Sequence, residues 1–267
     1  MASFIARLGF GILASTSAAH QAAAQAPVAS GHGYAFVFTN DSSAAVSATR
    51  PGYRMWIRAI PGLTRIQFSG DSVPDPTPAY SIVDGKTRIA YVPAKEHVLE
   101  GSIDAYGGAM GALAWPPEHT DQYREIELHD VVVSNTDSLL GRRAEHRRYS
   151  LAYLEWNVRQ REQADCWYVE LPATLRDAVD HAAHFFGISK IVPRNRLESA
   201  IWAVSARTPV KCTYERLYDG GAQYGIRTTH ETWSVSDVRT RDFEAPEFAI
   251  PALPRVRSPY KPGVLNP

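Results

Sequence analysis

Cysteine, methionine and net charge are all scarce in this chain. Its 267 residues include two cysteines and three methionines, and 28 Lys and Arg balance 28 Asp and Glu. A neutral balance argues against sequence-independent nucleic-acid binding, which needs a net basic face to displace counterions. An apolar share of 45% with 21% charged residues excludes a disordered acidic or basic tail protein. No apolar run approaches the ~20 residues that cross a bilayer, so no membrane span is expected. There is no Gly-x-Ser-x-Gly elbow, no phosphate-binding loop and no dinucleotide glycine pattern. No cofactor is implied. No linker and no internal repeat is visible, which favours one domain.

The N-terminus has its own character. One basic residue, Arg7, precedes a short apolar stretch and then a run of small residues ending in Ala22, Ala23 and Ala24. That order is a secretory signal peptide, with cleavage expected after Ala24. The expected organisation is therefore a signal peptide over residues 1–24, a single domain over 25–253, and an irregular Pro-rich tail over 254–267. The mature protein would be exported to the periplasm of a bacterial envelope. In that compartment Cys166 and Cys212, both in strand-like surroundings, form a disulfide; the alternative is two buried free thiols.

Along the mature chain the dominant signal is period-two alternation. Residues 33–39, 53–60 and 63–69 read as strands, the last two joined by Pro61 and Gly62. Residues 80–83 and 87–92 form a second hairpin about Asp84 and Gly85, whose type implies positive φ at both turn positions. A short strand follows at 97–99. Residues 101–120 are Gly/Ala-rich and irregular. Long β-type runs cover 123–134 and 142–158, the second apolar on both faces, as expected of a strand between two layers. Residues 166–170 read as a further strand. A helix is expected over 174–186, with Thr174 as cap and Leu175, Ala178, Val179, Ala182, Phe185 and Phe186 on one stripe. A second helix is expected over 195–206, opened by a capping box of Asn195 and Glu198. Strands return at 210–218 and 224–238. The fold class is mainly β with inserted helices (α+β).

The order of these parts resembles a known group. Arg54, Trp56 and Arg58, a turn, then Arg65 to Phe68 and "YSIVDGKTRIAYVPAKEHVL" (80–99) are similar to the core of LolA-like periplasmic proteins, which include the lipoprotein carrier LolA, its acceptor LolB and exported relatives. "CWYVELPATLRDA" (166–178), "TPVKCTYERLYDGG" (208–221) and "THETWSVSDVRTRDFEAPEFAIPAL" (229–253) resemble that group's later strand, helix and closing hairpin. The resemblance spans residues 50–253. It implies a curved antiparallel incomplete β-barrel covered by one or two helices, with a hollow that in the carriers holds acyl chains.

Six Trp and 13 Tyr suit such a hollow. The candidate ligand groove comprises Trp56, Ile66, Phe68 and Leu128, with Trp156, Phe186, Trp202 and Trp233. Arg54 and Arg58, four apart on one strand, form its candidate rim for anionic groups. The same aromatics could instead fill a closed core, and the two arginines could be plain surface charges. His181 and His184 lie three apart on the expected helix, but with no third ligand at a fixed spacing they do not make a metal site. Glu145 and His146, and His129 and Asp130, are strand neighbours that point to opposite faces and make poor dyads. No catalytic residues are assigned. Three readings follow: a periplasmic binding protein for acyl chains or lipidated polypeptide, with a lipid or lipoprotein as partner; a cell-envelope assembly module with a closed core and a protein partner; and a hydrolase whose site is not visible in sequence order.

Overall fold

The protein, here a computed structural model, is described for residues 30–44, 47–69, 80–103, 123–155, 158–186, 192–204, 207–219 and 225–257. The expected leader, the Gly/Ala-rich stretch from residue 104 onward, the Gly220–Gly221 pair expected as a hairpin turn between residues 218 and 224, and residues 258–267 lie outside them.

Among the described residues twelve strands form one sheet. β1 (Gly31–Ala44), β2 (Ser47–Ile60), β3 (Leu63–Ser69), β4 (Tyr80–Asp84), β5 (Ile89–Pro93) and β6 (Val98–Ser102) run as a meander. β7 (Tyr123–Leu139), β8 (Arg142–Glu155) and β9 (Val158–Val169) make a second meander. Helices α1 (Ala173–Phe186) and α2 (Val192–Trp202) follow, then β10 (Thr208–Asp219) and β11 (Ile226–Phe243). A 3-10 turn over Ala245–Phe248 and the short β12 (Arg255–Arg257) close the described chain. The order across the sheet is β12-β6-β5-β4-β3-β2-β1-β11-β10-β9-β8-β7. Every pairing is antiparallel except β12 on β6. The sheet is curved and unclosed, the incomplete barrel with helices that the resemblance implied.

The hairpins follow from their turn chemistry. Ile60 pairs with Leu63 across Pro61 and Gly62, and Gly62 takes a φ of 82° that a side chain would resist. The β4–β5 turn differs from expectation: its left-handed residue is Arg88, at φ 53°, and Gly85 is not left-handed. Asp84 Oδ1 accepts the Lys86 amide at 2.8 Å, and this side-chain bond sets the turn in place of a two-residue Asp-Gly turn. Between β7 and β8, Leu140 and Gly141 take φ of 54° and 68°, a tight turn that joins Leu139 to Arg142.

Five further expectations are corrected in extent. β9 begins at Val158, not at Cys166, so the charged run before the cysteine is strand. α1 begins at Ala173, which places Thr174 inside the helix rather than at its cap. α2 covers Val192–Trp202, so Asn195 is interior and no capping box opens the helix there. The long run from residue 142 is two-sided only in part: Tyr149, Leu151 and Tyr153 are buried, while Ala152 and Leu154 on the other face are half-exposed. Residues 255–257, expected in an irregular tail, add a parallel strand to β6.

The core lies on the concave face. α1 packs on β1, β2 and β3, and α2 on β7, β8 and β10. Leu175, Ala178, Val179, Ala182 and Phe185 meet Phe36, Met55, Ile57 and Ile66 in one cluster. Each such side chain contributes about 1.5–3 kcal/mol by leaving water. The convex face of β2–β6 is covered too. Phe248 packs on Ile60 and Phe243, and Ile250 and Leu253 pack on Ile82, Tyr91 and Val98. The Val98 amide donates to the Pro254 carbonyl at 2.9 Å.

Cys166 and Cys212 sit directly opposite on β9 and β10 and form the disulfide, with Cα atoms 4.2 Å apart.

Candidate functional site

The structure divides the expected groove residues between two faces. Ile66, Phe68, Leu128, Trp202 and Trp233 all contact the concave core. There the rings are layered. Phe38 stacks on Trp233 at 5.4 Å, Trp233 on Trp202 at 6.1 Å, and His184 meets Trp202 at 5.9 Å. Phe68 meets Phe185 of α1 at 5.5 Å. The indole N–H of Trp233 donates to the Tyr214 hydroxyl at 3.3 Å, so its polar atom is satisfied although the ring is buried. These side chains pack against one another between sheet and helices. Trp156 lies outside the described residues. Phe186 ends α1, and its side chain is likewise outside the description.

Trp56 is on the other face. Its partner on β3 is Gln67, whereas Met55 and Ile57 on either side pair with Phe68 and Ile66. It is 45% exposed. Strand parity sends Arg54 and Arg58 to the same convex side. Trp56 and Arg58 line a depression of about 610 Å³ there. Its floor is β1, at Ala35 and Val37. The far wall is β11, at Asp237, Arg239 and Arg241. β11 carries an extra residue at this point: Ala35 pairs with Arg239 but Val37 with Ser236. Asp237 in this bulge takes a φ of 53°, and bulges of this kind re-aim side chains. Glu247 closes one end by bridging Arg58 (3.3 Å) and Arg241 (3.0 Å) across β1.

A second, more polar cavity of about 350 Å³ opens beside α1, lined by Gly85, Arg88, Asp180, His181, Trp202 and Arg207 among others. The two α1 histidines are each engaged by the protein. His181 Nδ1 hydrogen-bonds the Thr64 hydroxyl at 2.9 Å. His184 Nδ1 lies 2.8 Å from the Asp180 carbonyl and 3.1 Å from its carboxylate. Arg88 donates to the other oxygen of that carboxylate at 3.0 Å. Burial alone would raise the Asp180 pKa, but His184 and Arg88 hold it at about 2. Burial pushes His181 below its ordinary value, against the pull of Asp180 and Asp177. Burial acts the same way on His184, but there the bond to Asp180 outweighs it and the net shift is upward. The arrangement is an ion-paired clasp between α1 and the β4–β5 turn. Among the described residues no group of three His, Cys, Asp or Glu side chains could hold a metal ion.

The two histidines give opposite pH dependences. His184, raised, contributes stability that is complete below its unfolded pKa near 6.5 and is lost as pH climbs through its folded value. His181, lowered, weakens the fold as pH drops from ~6.5 through its folded value, because the unfolded chain then binds the extra proton. The melting temperature should therefore peak near pH 6.5. His184→Gln should flatten the alkaline side and His181→Gln the acid side. Identical profiles for the wild type and both variants in thermal scans would remove this assignment.

On β8 and β9, His146 Nε2 lies 2.7 Å from Asp165, stacked on Trp167. Arg148 and Gln163 also donate to Asp165. Burial would raise the Asp165 carboxyl, but these three bonds hold it below the usual carboxylate range. This cluster ties adjacent strands together; the partner of His146 is on the neighbouring strand, not beside it in sequence.

The sequence reading missed the convex depression. Its signal was the parity of Arg54, Trp56 and Arg58, which puts the tryptophan with the arginines and away from Ile66 and Phe68. The bulge at Asp237 has no comparable signal.

No family model matches the chain, and no curated protein matches it. Among solved structures it is similar to PNGF-II in two space groups, at 8% identity, with TM-scores of 0.37 and 0.36 over 85% and 84% of this chain. The chain spans about a third of the PNGF-II chain, 32% and 31% in the two forms. It is also similar to a DUF1329 family protein from Desulfovibrio piger ATCC 29098, at 9% identity and a TM-score of 0.19, over 79% of this chain and 85% of that one. Likenesses this distant carry nothing about a ligand or an activity to this chain.

Proposed function

We propose that the chain is an exported, non-catalytic binding module of the cell envelope that works with its cupped face filled by its own side chains. Export to the periplasm is supported by the signal-type leader, by the disulfide and by the resemblance to LolA-like proteins. No helix among the described residues is long and apolar enough to cross a membrane. The observation that carries the filled-interior reading is the ring series Phe38, Trp233, Trp202 and His184. The resemblance to LolA-like proteins implies that the carriers of that group hold acyl chains on the corresponding concave side. A partner, on this reading an envelope protein, is met on the outside of the sheet. The carrier reading, with an acyl chain or lipidated polypeptide inside, requires α1 and α2 to lift from the sheet and break those contacts.

Hydrogen exchange separates the two. A filled interior expects the α1 amides to exchange only through global unfolding, with rates unchanged by a saturating acylated lipopeptide. Exchange of α1 through a smaller opening, or new protection of α1 when the lipopeptide is added, would establish the carrier in its place.

A further inference from the structure

The convex depression has the makings of a ligand site, and its shape follows from register. Arg58 on β2 and Arg239 on β11 are both cross-strand partners of Ala35 on β1. Their Cα atoms therefore stand two strand spacings apart, ~10 Å, with a methyl side chain between them. Two long guanidinium side chains on either side of so small a residue can close on one object above it. Next along β1 comes Val37, whose β2 partner is Trp56. The floor thus presents only apolar side chains. The backbone of β1 beneath is paired with β2 on one side and β11 on the other.

Charge selects the occupant. Arg58 and Arg241 share Glu247. Arg239 has no ion-pair partner among the described residues, although it lines the cavity. Asp237, the other charged wall residue, lies toward the Val37 end of the bulge, away from the Arg58–Arg239 pair. One end of the depression therefore carries an uncompensated positive charge, and the other holds Val37 and the Trp56 indole with Asp237 and Gln67 on its walls. The volume of about 610 Å³ is within the range of small-molecule sites.

We propose that this convex trench binds a single-chain anionic amphiphile, its carboxylate or phosphate held between Arg239 and Arg58 above Ala35 and its hydrocarbon chain laid along Val37 against Trp56. The inference rests on the reading that the protein acts by binding, and it places the ligand outside the filled cup. Guanidinium groups suit either oxyanion by paired hydrogen bonds, so the head group is set by which acid is offered. An uncharged head would forfeit that contact and leave the hydrophobic term alone.

The test is titration of the full chain with dodecanoate, dodecyl phosphate and dodecyl maltoside below their micelle concentrations, followed by calorimetry. Both anions should bind one to one, and the maltoside at least tenfold more weakly. Arg239→Gln and Trp56→Ala, at exposed positions that leave the core intact, should each weaken the anions tenfold or more. Trp202→Ala, on the concave side, should leave them unchanged. The better-bound anion tells a free acid from a phosphate head group. Equal affinity for the maltoside, or no effect of either convex variant, overturns the proposal. If no probe binds, the trench falls and the filled interior stands. If Trp202→Ala alone abolishes binding and the anions protect α1 from exchange, the ligand is in the cup and both readings fall together.

Discussion

Removing the Cys166–Cys212 bridge should lower the stability of the fold by about 4 kcal/mol, the chain-entropy value for a closed loop of this size. The two cysteines are 46 residues apart, and the loop they close contains α1 and α2. Without the bridge, the unfolded chain regains the freedom to separate β9 from β10. Both residues are fully buried, so a reductant reaches them only when the sheet opens. Urea unfolding of the oxidised protein should therefore show one transition, and the Cys166→Ala, Cys212→Ala double variant a transition at much lower urea. A midpoint unchanged in the variant would mean that the bridge constrains nothing the ladder of β9 and β10 does not already hold.

Trp233→Ala should cost about 3–5 kcal/mol, the range for truncating a large buried aromatic. Trp233 is the middle ring of the concave stack, between Phe38 on β1 and Trp202 at the end of α2. Truncation removes the ring that packs on both neighbours and the indole N–H that donates to the Tyr214 hydroxyl. The cavity would lie between two aromatic rings, so it should take up indole, which restores both the ring and the N–H, seen as a partial recovery of melting temperature. A loss below about 1 kcal/mol would show that the site collapses freely or was never tightly packed, and the filled-interior reading would lose its support.

Much of the frame was legible because its signals are local. Pro61 and Gly62 mark the β2–β3 turn, and the stripe of Leu175, Ala178, Val179, Ala182 and Phe185 marks α1 and the face it buries. The pairing of Cys166 with Cys212 followed from two cysteines in adjacent strand-like runs. What escaped was set by neighbours distant in sequence. The first half of β9 carries charge on both faces, so no apolar alternation announces it. Yet Glu162 points inward, is fully buried, and is paired with Arg216 on β10. That partner, 54 residues away, helps to make an inward carboxylate tolerable. The site was half legible for a similar reason. Composition suggested that aromatics line a hollow, and Ile66, Phe68, Trp202 and Trp233 do share one space. Whether that space is open depends on how closely α1 and α2 seat on the sheet, which no local pattern encodes. β12 was hidden because a three-residue strand among prolines has no periodicity of its own; β6 supplies the template.

The strand order has a consequence for how the chain reaches this shape. β11 slots between β1 and β10, so the middle of the sheet joins its first strand to its last long one, with Gly31 opposite Phe243. Until β11 has been made, β1 and β10 are two raw edges, each a template for adhesion to another chain. The two meanders can form early from neighbouring hairpins, but nothing zips them together until more than two hundred residues are in place. Such a seam is slow to close because its contacts are the most remote among the described residues. A chain arrested before β11 would hold two unjoined half-sheets, vulnerable to proteases and to sticking, so commitment to the native state waits for β11.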